Sequence, residues 1–138
     1  MAGDITEQGL EGAGYDAIIA LDVLEHVVSP SKMMKVCHEA LRPGGLMLIQ
    51  TPNTHSYRFR VHQGRWDMLM PAQHLTLFSP HGLEGLLESH KFTVLEMRTV
   101  SGTGRERGLA RVFNGVKEFL LDMGRLGNAL CVVARAES

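Results

Sequence analysis

Two apolar runs organise the chain. Tyr15-Asp16-Ala17-Ile18-Ile19-Ala20-Leu21-Asp22 is apolar between flanking acids, the pattern of a strand buried on both faces of a parallel sheet. Leu46-Met47-Leu48-Ile49-Gln50 is a second such strand, and it stops at Thr51-Pro52-Asn53. Between them, Ser29-Pro30 supplies an N-cap and a proline at the first helical position. Met33, Met34, Val36, Cys37, Ala40 and Leu41 then recur at helical spacing, and Pro43-Gly44-Gly45 is expected to end the helix through a left-handed glycine. Strand, helix and strand form one β-α-β unit.

Residues 53–77 carry no strong period and mix Arg, His, Tyr57, Phe59 and Trp66, which marks them as a lid or acceptor loop. Ser79-Pro80 repeats the helix-start chemistry, with Leu83, Leu86 and Leu87 on one face, and Phe92 to Val100 reads as a strand. Gly102-Thr103-Gly104 to Gly108 has the look of a nucleotide-binding turn, but it is read as a connection. An apolar stripe at helical spacing follows from Leu109 to Met123, and a final strand spans Asn128 to Ala134. The expected class is α/β in one domain, 1–138: a strand-helix-strand core at 15–53, the loop at 54–78, and helices and strands at 79–138.

Composition adds exclusions. With 138 residues, 44% apolar and 21% charged, the chain is an ordinary globular domain and not a disordered tail. No apolar run approaches the roughly 20 residues of a membrane helix, so no membrane span is expected. Cys37 and Cys131 sit apart within apolar patterns and read as reduced packing residues, in keeping with a cytoplasmic protein. The first 31 residues hold six acids and no Lys or Arg. Basic residues occur in small groups, Arg58/Arg60/Arg65 and Arg105/Arg107/Arg111, too few for a nucleic-acid surface.

The order of these signals is specific. The strings YDAIIALDVLEHV, LRPGG and LMLIQTPN resemble the middle of class I S-adenosylmethionine-dependent methyltransferases. The later string HLTLFSPHGLEGLLESHKFTVLEM resembles the downstream part of that family, in the branch that includes ubiquinone-biosynthesis O-methyltransferases. The resemblance covers most of residues 15–100. It implies the C-terminal half of a doubly wound Rossmann-like sheet, lacking the first strands, with Tyr15–Asp22 as the fourth strand and the cofactor across the strand ends. The edge left without the first strand is expected to be sticky, which makes self-association through it a candidate interaction. On this reading the chain is a fragment of an incomplete gene, the partner of another chain, or a degenerate copy.

The same resemblance implies S-adenosylmethionine as cofactor and a small-molecule methyl acceptor, with transfer at oxygen. Asp4, Asp22 and Leu24 are then the candidate cofactor contacts. Asp22, Glu25 and His26 stand where related enzymes carry a Glu-x-x-Glu-His segment that, with a distant histidine, holds a divalent metal; His74 is the candidate distant ligand. Spacing alone would set Asp22, Glu25 and His26 on one face of a helical turn. His26 and His74 are also the candidate general bases. The plainer reading has Glu25 and His26 capping the loop and His74 as a buried, hydrogen-bonded side chain. A non-catalytic fragment that works only by pairing with a partner is the competing function. His38, His55, His62, His81 and His90 read as surface residues, while Tyr57 and Trp66 serve either as pocket walls or as loop anchors.

Overall fold

The computed structural model describes residues 10, 12–62, 73–101 and 126–138, and the statements below concern those residues. Four strands form one sheet in the order β1-β2-β4-β3: β1 (Tyr15–Leu21), β2 (Leu41–Pro52), β3 (Phe92–Val100) and β4 (Ala129–Ala136). β1 runs parallel to β2, from Ala17↔Leu46 to Leu21↔Gln50, whereas β4 is antiparallel to both β2 and β3. Three described helices join them: α1 (Pro30–Ala40), α2 (Tyr57–His62) and α3 (Pro80–Glu88). None is long and apolar enough to cross a membrane.

The two longer helices start as the sequence dictates. Ser29 Oγ accepts from the Lys32 N–H and Ser79 Oγ from the Gly82 N–H, each with proline in the first turn. Their apolar positions, Met33, Met34 and Cys37 on α1 and Leu83 and Leu87 on α3, join one core with Ala20, Met47, Ile49, Leu130, Val132, Ala134 and Phe92 from alternate positions of the strands. Each large side chain buried there contributes about 1.5–3 kcal/mol. Burial in this core pushes the Cys37 thiol up to about 11, so it stays protonated and packs as a small apolar group.

Three expectations need correction. First, β1 is not buried on both faces: Ala20 faces the core, but Ile19 and Leu21 are 63% and 57% exposed on the other side. Among the described residues β1 has only β2 beside it, the edge position that the resemblance implies, so the apolar run that reads as a doubly buried strand is buried on one face alone. Second, Pro43-Gly44-Gly45 does not cap α1. The helix stops at Ala40, its last turn closed by the Leu41 N–H donating to Cys37 O, and Leu41 is already extended. The glycines instead form a bulge in β2, between the Tyr15↔Leu41 and Ala17↔Leu46 pairs. Gly44 is left-handed there (φ 79°), and a Cβ on Gly45 would meet Arg42 O at 2.9 Å and Tyr15 O at 3.0 Å. Third, the stretch after Asn53 is not wholly irregular, because it contains α2. The predicted helix at 109–123, the turn at 102–108, Trp66 and Asp4 lie outside the described residues.

Candidate active site

The chain leaves β1 through a left-handed residue, Asp22 (φ 52°), whose N–H still pairs with Gln50 O at 3.0 Å. A tight turn follows, closed by the His26 N–H donating to Val23 O at 3.0 Å. Leu24 and Val27 are buried in the core and hold this turn against the sheet. Between them Glu25 is only 1% exposed, a carboxylate withdrawn from water at the end of β1.

Glu25 has specific support. Its Oε2 accepts from Thr51 Oγ1 at 3.0 Å, and its backbone oxygen accepts from the N–H groups of Leu75 and Thr76 at 2.8 and 3.2 Å. Those last bonds bring the loop back over the strand ends. The return is continued by a parallel bridge between Asn53 and Phe78 and by the Thr54 N–H donating to Phe78 O at 3.0 Å. His74 is thereby set beside His26, with ring centroids 4.8 Å apart in an edge-on arrangement.

One hydrogen bond fixes the chemistry of His26. Its Nδ1 lies 2.8 Å from Gln73 O, and since a carbonyl only accepts, Nδ1 carries the proton. In the neutral ring Nε2 is then a bare acceptor, and it stands 4.0 Å from Glu25 Oε1. An imidazole lone pair and a carboxylate oxygen thus face the same small space, where one cation could be shared between them. Ligand atoms of Glu25, His26 and His74 all lie within 4.8 Å of one another, and this is the group among the described residues whose donors would share one metal ion. A histidine whose second ring nitrogen donates to a backbone carbonyl is the usual support of a metal-ligating imidazole. The donor set itself, one carboxylate oxygen and two imidazole nitrogens, suits Mg²⁺, Mn²⁺ or Zn²⁺.

Asp22 stands outside that group. Residues 22–26 are not a helical turn, since the left-handed backbone of Asp22 breaks it, and its carboxylate instead accepts from Gln50 Nε2, 3.3 Å from each oxygen. Gln50 is itself held from behind, its Oε1 accepting from Cys131 Sγ at 3.7 Å. Leu24, a candidate cofactor contact, has its side chain fully buried in the core, which leaves only its backbone for a ligand. Of the five histidines set aside as surface residues, two are not free: His90 ties Ser31 to Leu86, and His38 Nε2 donates to Glu137 O at 3.0 Å.

A cavity of about 450 Å³ opens at the same end of the sheet, lined by Asp22, Glu25, His26 and His74, by Gln50, Pro52 and Arg58, and by Val100, Asn128 and Ala129. Thr51, Gln50 and Arg58 were not singled out as site residues from the sequence. Thr51 had a signal, as the first residue of the Thr-Pro-Asn that ends β2. Gln50 read as the tail of an apolar run, and Arg58 as one member of a small basic group. Tyr57 is half exposed and is not among the cavity's lining residues.

The comparisons agree with this architecture. A family described as methyltransferase domain matches residues 4–97. A ubiquinone biosynthesis O-methyltransferase of Parvibaculum lavamentivorans is 46% identical over 97 residues, 68% of this chain and 35% of that protein. Among solved structures, a complex of the Haloferax volcanii Trm112 methyltransferase activator with a putative methyltransferase superposes on all of this chain and 61% of its own, with a TM-score of 0.70 at 16% identity. The N-methyltransferase NodS of Bradyrhizobium japonicum, in complex with S-adenosyl-l-homocysteine, covers the chain equally and 54% of its own length, with a TM-score of 0.60 at 13% identity. The chain therefore spans about a third of the curated relative and little more than half of the solved proteins.

Proposed function

Because the chain belongs to the methyltransferase domain family, we infer that it serves S-adenosylmethionine-dependent methyl transfer to the oxygen of a small hydroxylated acceptor. The reading further has Glu25, His26 and His74 holding a divalent cation beside that oxygen. The observation that carries it is the meeting of these three side chains at the strand ends, against the cavity. The oxygen acceptor draws support from the Parvibaculum relative, an O-methyltransferase, and the cofactor from the product-like S-adenosyl-l-homocysteine in the NodS complex.

The residues divide the work as follows. Thr51 orients the Glu25 carboxylate, and the Leu75 and Thr76 N–H groups hold the Glu25 backbone against the returning loop. Gln73 O fixes the His26 tautomer, so that a nitrogen lone pair is presented at Nε2. Pro52, Val100 and Ala129 give the acceptor an apolar wall. S-adenosylmethionine, when bound, supplies a sulfonium methyl group that the acceptor oxygen takes as sulfur leaves with the bonding pair. Glu25, His26 and His74 would hold a divalent cation, whose positive charge would favour the deprotonated acceptor oxygen, the proton passing to solvent. Without a cation, His26 Nε2 accepts the acceptor's proton and the nearby Glu25 carboxylate stabilises the imidazolium. Asp22, held by Gln50 at the end of β1, remains the proposed side-chain contact to the cofactor. The two free cysteines suit a reducing compartment, and a cytoplasmic location is part of the proposal.

The exposed apolar side of β1, Tyr15, Ile19 and Leu21, favours a second reading in which the chain acts by pairing with another chain, a second copy included. Calorimetry separates the two. S-adenosylmethionine is expected to bind the chain with a Kd on the order of micromolar, corresponding to about −8 kcal/mol. Absence of binding at millimolar cofactor, together with concentration-dependent association in light scattering, would favour the pairing function instead.

A further inference from the structure

We propose that Ser31 is a second reactive centre of this chain, a nucleophile activated by His90 that takes the acyl group of a small activated ester or thioester. Neither residue lines the cavity at the strand ends, and neither takes part in the proposed methyl transfer.

The pair joins the ends of two helices. Ser31 lies in the first turn of α1, and His90 follows the end of α3 at Glu88. Ser31 Oγ is 2.7 Å from His90 Nε2, and His90 Nδ1 is 2.9 Å from Leu86 O. Because a carbonyl only accepts, Nδ1 carries the proton, so in the neutral ring Nε2 is a bare acceptor and the Ser31 hydroxyl donates to it. Ser89 supports the same tautomer: its hydroxyl donates to Leu86 O at 2.8 Å, so its oxygen accepts where it meets His90 Nδ1 at 3.0 Å. A serine donating to an imidazole whose other nitrogen is held by a fixed acceptor is the arrangement that activates a hydroxyl as a nucleophile.

The helix ends place charge where acyl transfer needs it. At the N-terminus of α1, Pro30 has no N–H and the Lys32 N–H is taken by Ser29 Oγ at 3.3 Å. The Ser31 N–H has no partner among the described residues, and it belongs to the residue on which the oxyanion forms. Leu86 O lies in the last turn of α3, whose dipole sets partial negative charge beside the ring that takes up the proton. In the step itself, Ser31 Oγ attacks the acyl carbon while its proton passes to His90 Nε2. The leaving oxygen or sulfur departs with the bonding pair and takes that proton, and the acyl group stays on Ser31 as an ester. Ser31 is exposed, so a small donor reaches Oγ from solvent. With a carbonyl in place of a carboxylate behind the ring, slow acylation is expected and not rapid turnover.

The test exposes the full chain to p-nitrophenyl acetate and follows the acetyl group by peptide mass mapping. Ser29 is the internal reference, because it caps the same helix with its Oγ turned to the Lys32 N–H and not to an imidazole. Ser31 is expected to be acetylated about 100-fold faster than Ser29, the lower end of what a positioned general base contributes. In His90→Gln that advantage is expected to fall to about one, whereas Ser89→Ala, which leaves Leu86 O to orient the ring, keeps it within about 3-fold of the parent value. Equal acetylation of Ser29 and Ser31 in the parent chain, or an advantage of Ser31 that survives in His90→Gln, overturns the inference. The first of these comparisons needs no variant, so it decides even if His90→Gln disturbs the contact between α1 and α3. Neither cofactor nor cation enters the assay, which therefore reads this site alone.

Discussion

Replacing Glu25 with Gln is expected to weaken Mn²⁺ binding to the chain by roughly 100-fold, with His26→Gln and His74→Gln losing similar amounts. Gln keeps the size of the side chain and an oxygen for Thr51 Oγ1, so Glu25→Gln removes the charge without emptying the buried site. In an assembled enzyme the same substitutions are expected to slow methyl transfer by about 10²–10⁴-fold, the range associated with losing the group that manages the acceptor's proton. His90→Gln is the control, because His90 lies away from the cavity and joins α3 to Ser31. Binding competition against a fluorescent chelator gives the affinities. A Glu25→Gln chain that holds Mn²⁺ as tightly as the parent would remove Glu25 from the ligand set.

The second large effect is on stability. Asn53 is fully buried, and its side chain both donates to Gly127 O and accepts from the His55 N–H at 2.8 Å, while its own N–H donates to Asn128 O at 2.9 Å. It ties the end of β2 to the start of β4 and to the approach to α2. Asn53→Ala leaves the carbonyl of buried Gly127 without its side-chain partner, at a cost of about 1–3 kcal/mol, while the N–H of exposed His55 can turn to water. The expected loss is about 1–3 kcal/mol, or roughly 5–10 °C in Tm for a domain of this size. Asn53→Asp, which keeps the acceptor for His55 but sets a carboxylate oxygen against Gly127 O in a buried place, should cost at least as much. Differential scanning calorimetry reads both, and a change below about 2 °C for Asn53→Ala would show that relaxation or water restores these partners.

Much of this architecture can be read from the sequence because it rests on local rules. The starts of α1 and α3 follow from Ser-Pro pairs, and β3 runs from Phe92 to Val100 as its pattern suggests. The parallel pairing of β1 and β2 follows from a helix between two apolar runs. The errors share one cause, which is that periodicity reports what a segment would bury and not what lies beside it. Ile19 and Leu21 look like core residues in sequence, yet their exposure depends on which strands flank β1. The Pro43-Gly44-Gly45 string carries a left-handed glycine, but whether that conformation ends a helix or makes a bulge depends on where β2 takes up its pairing with β1.

Within the site, local spacing points to Glu25 and His26, whereas the place of His74 depends on the Leu75 and Thr76 N–H groups reaching Glu25 O across the fold. Spacing also misplaces Asp22. The i, i+3, i+4 rule assumes helical backbone, and one left-handed residue sends its carboxylate to Gln50. Thr51 opens the Thr-Pro-Asn that ends β2, a local signal, whereas Arg58 reads only as one of a small basic group and reaches the cavity through the way α2 is set at the ends of the sheet.

The most direct measurement is a Mn²⁺ titration followed by NMR of the histidine rings, since paramagnetic broadening falls steeply with distance and the chain's seven histidines provide their own controls. The site described here predicts that His26 and His74 broaden first and together at substoichiometric Mn²⁺, ahead of His38, His55, His62, His81 and His90, and that Glu25→Gln abolishes the selectivity. Broadening spread evenly over all seven, or beginning at a histidine other than these two, would contradict a metal-assisted acceptor site at Glu25, His26 and His74.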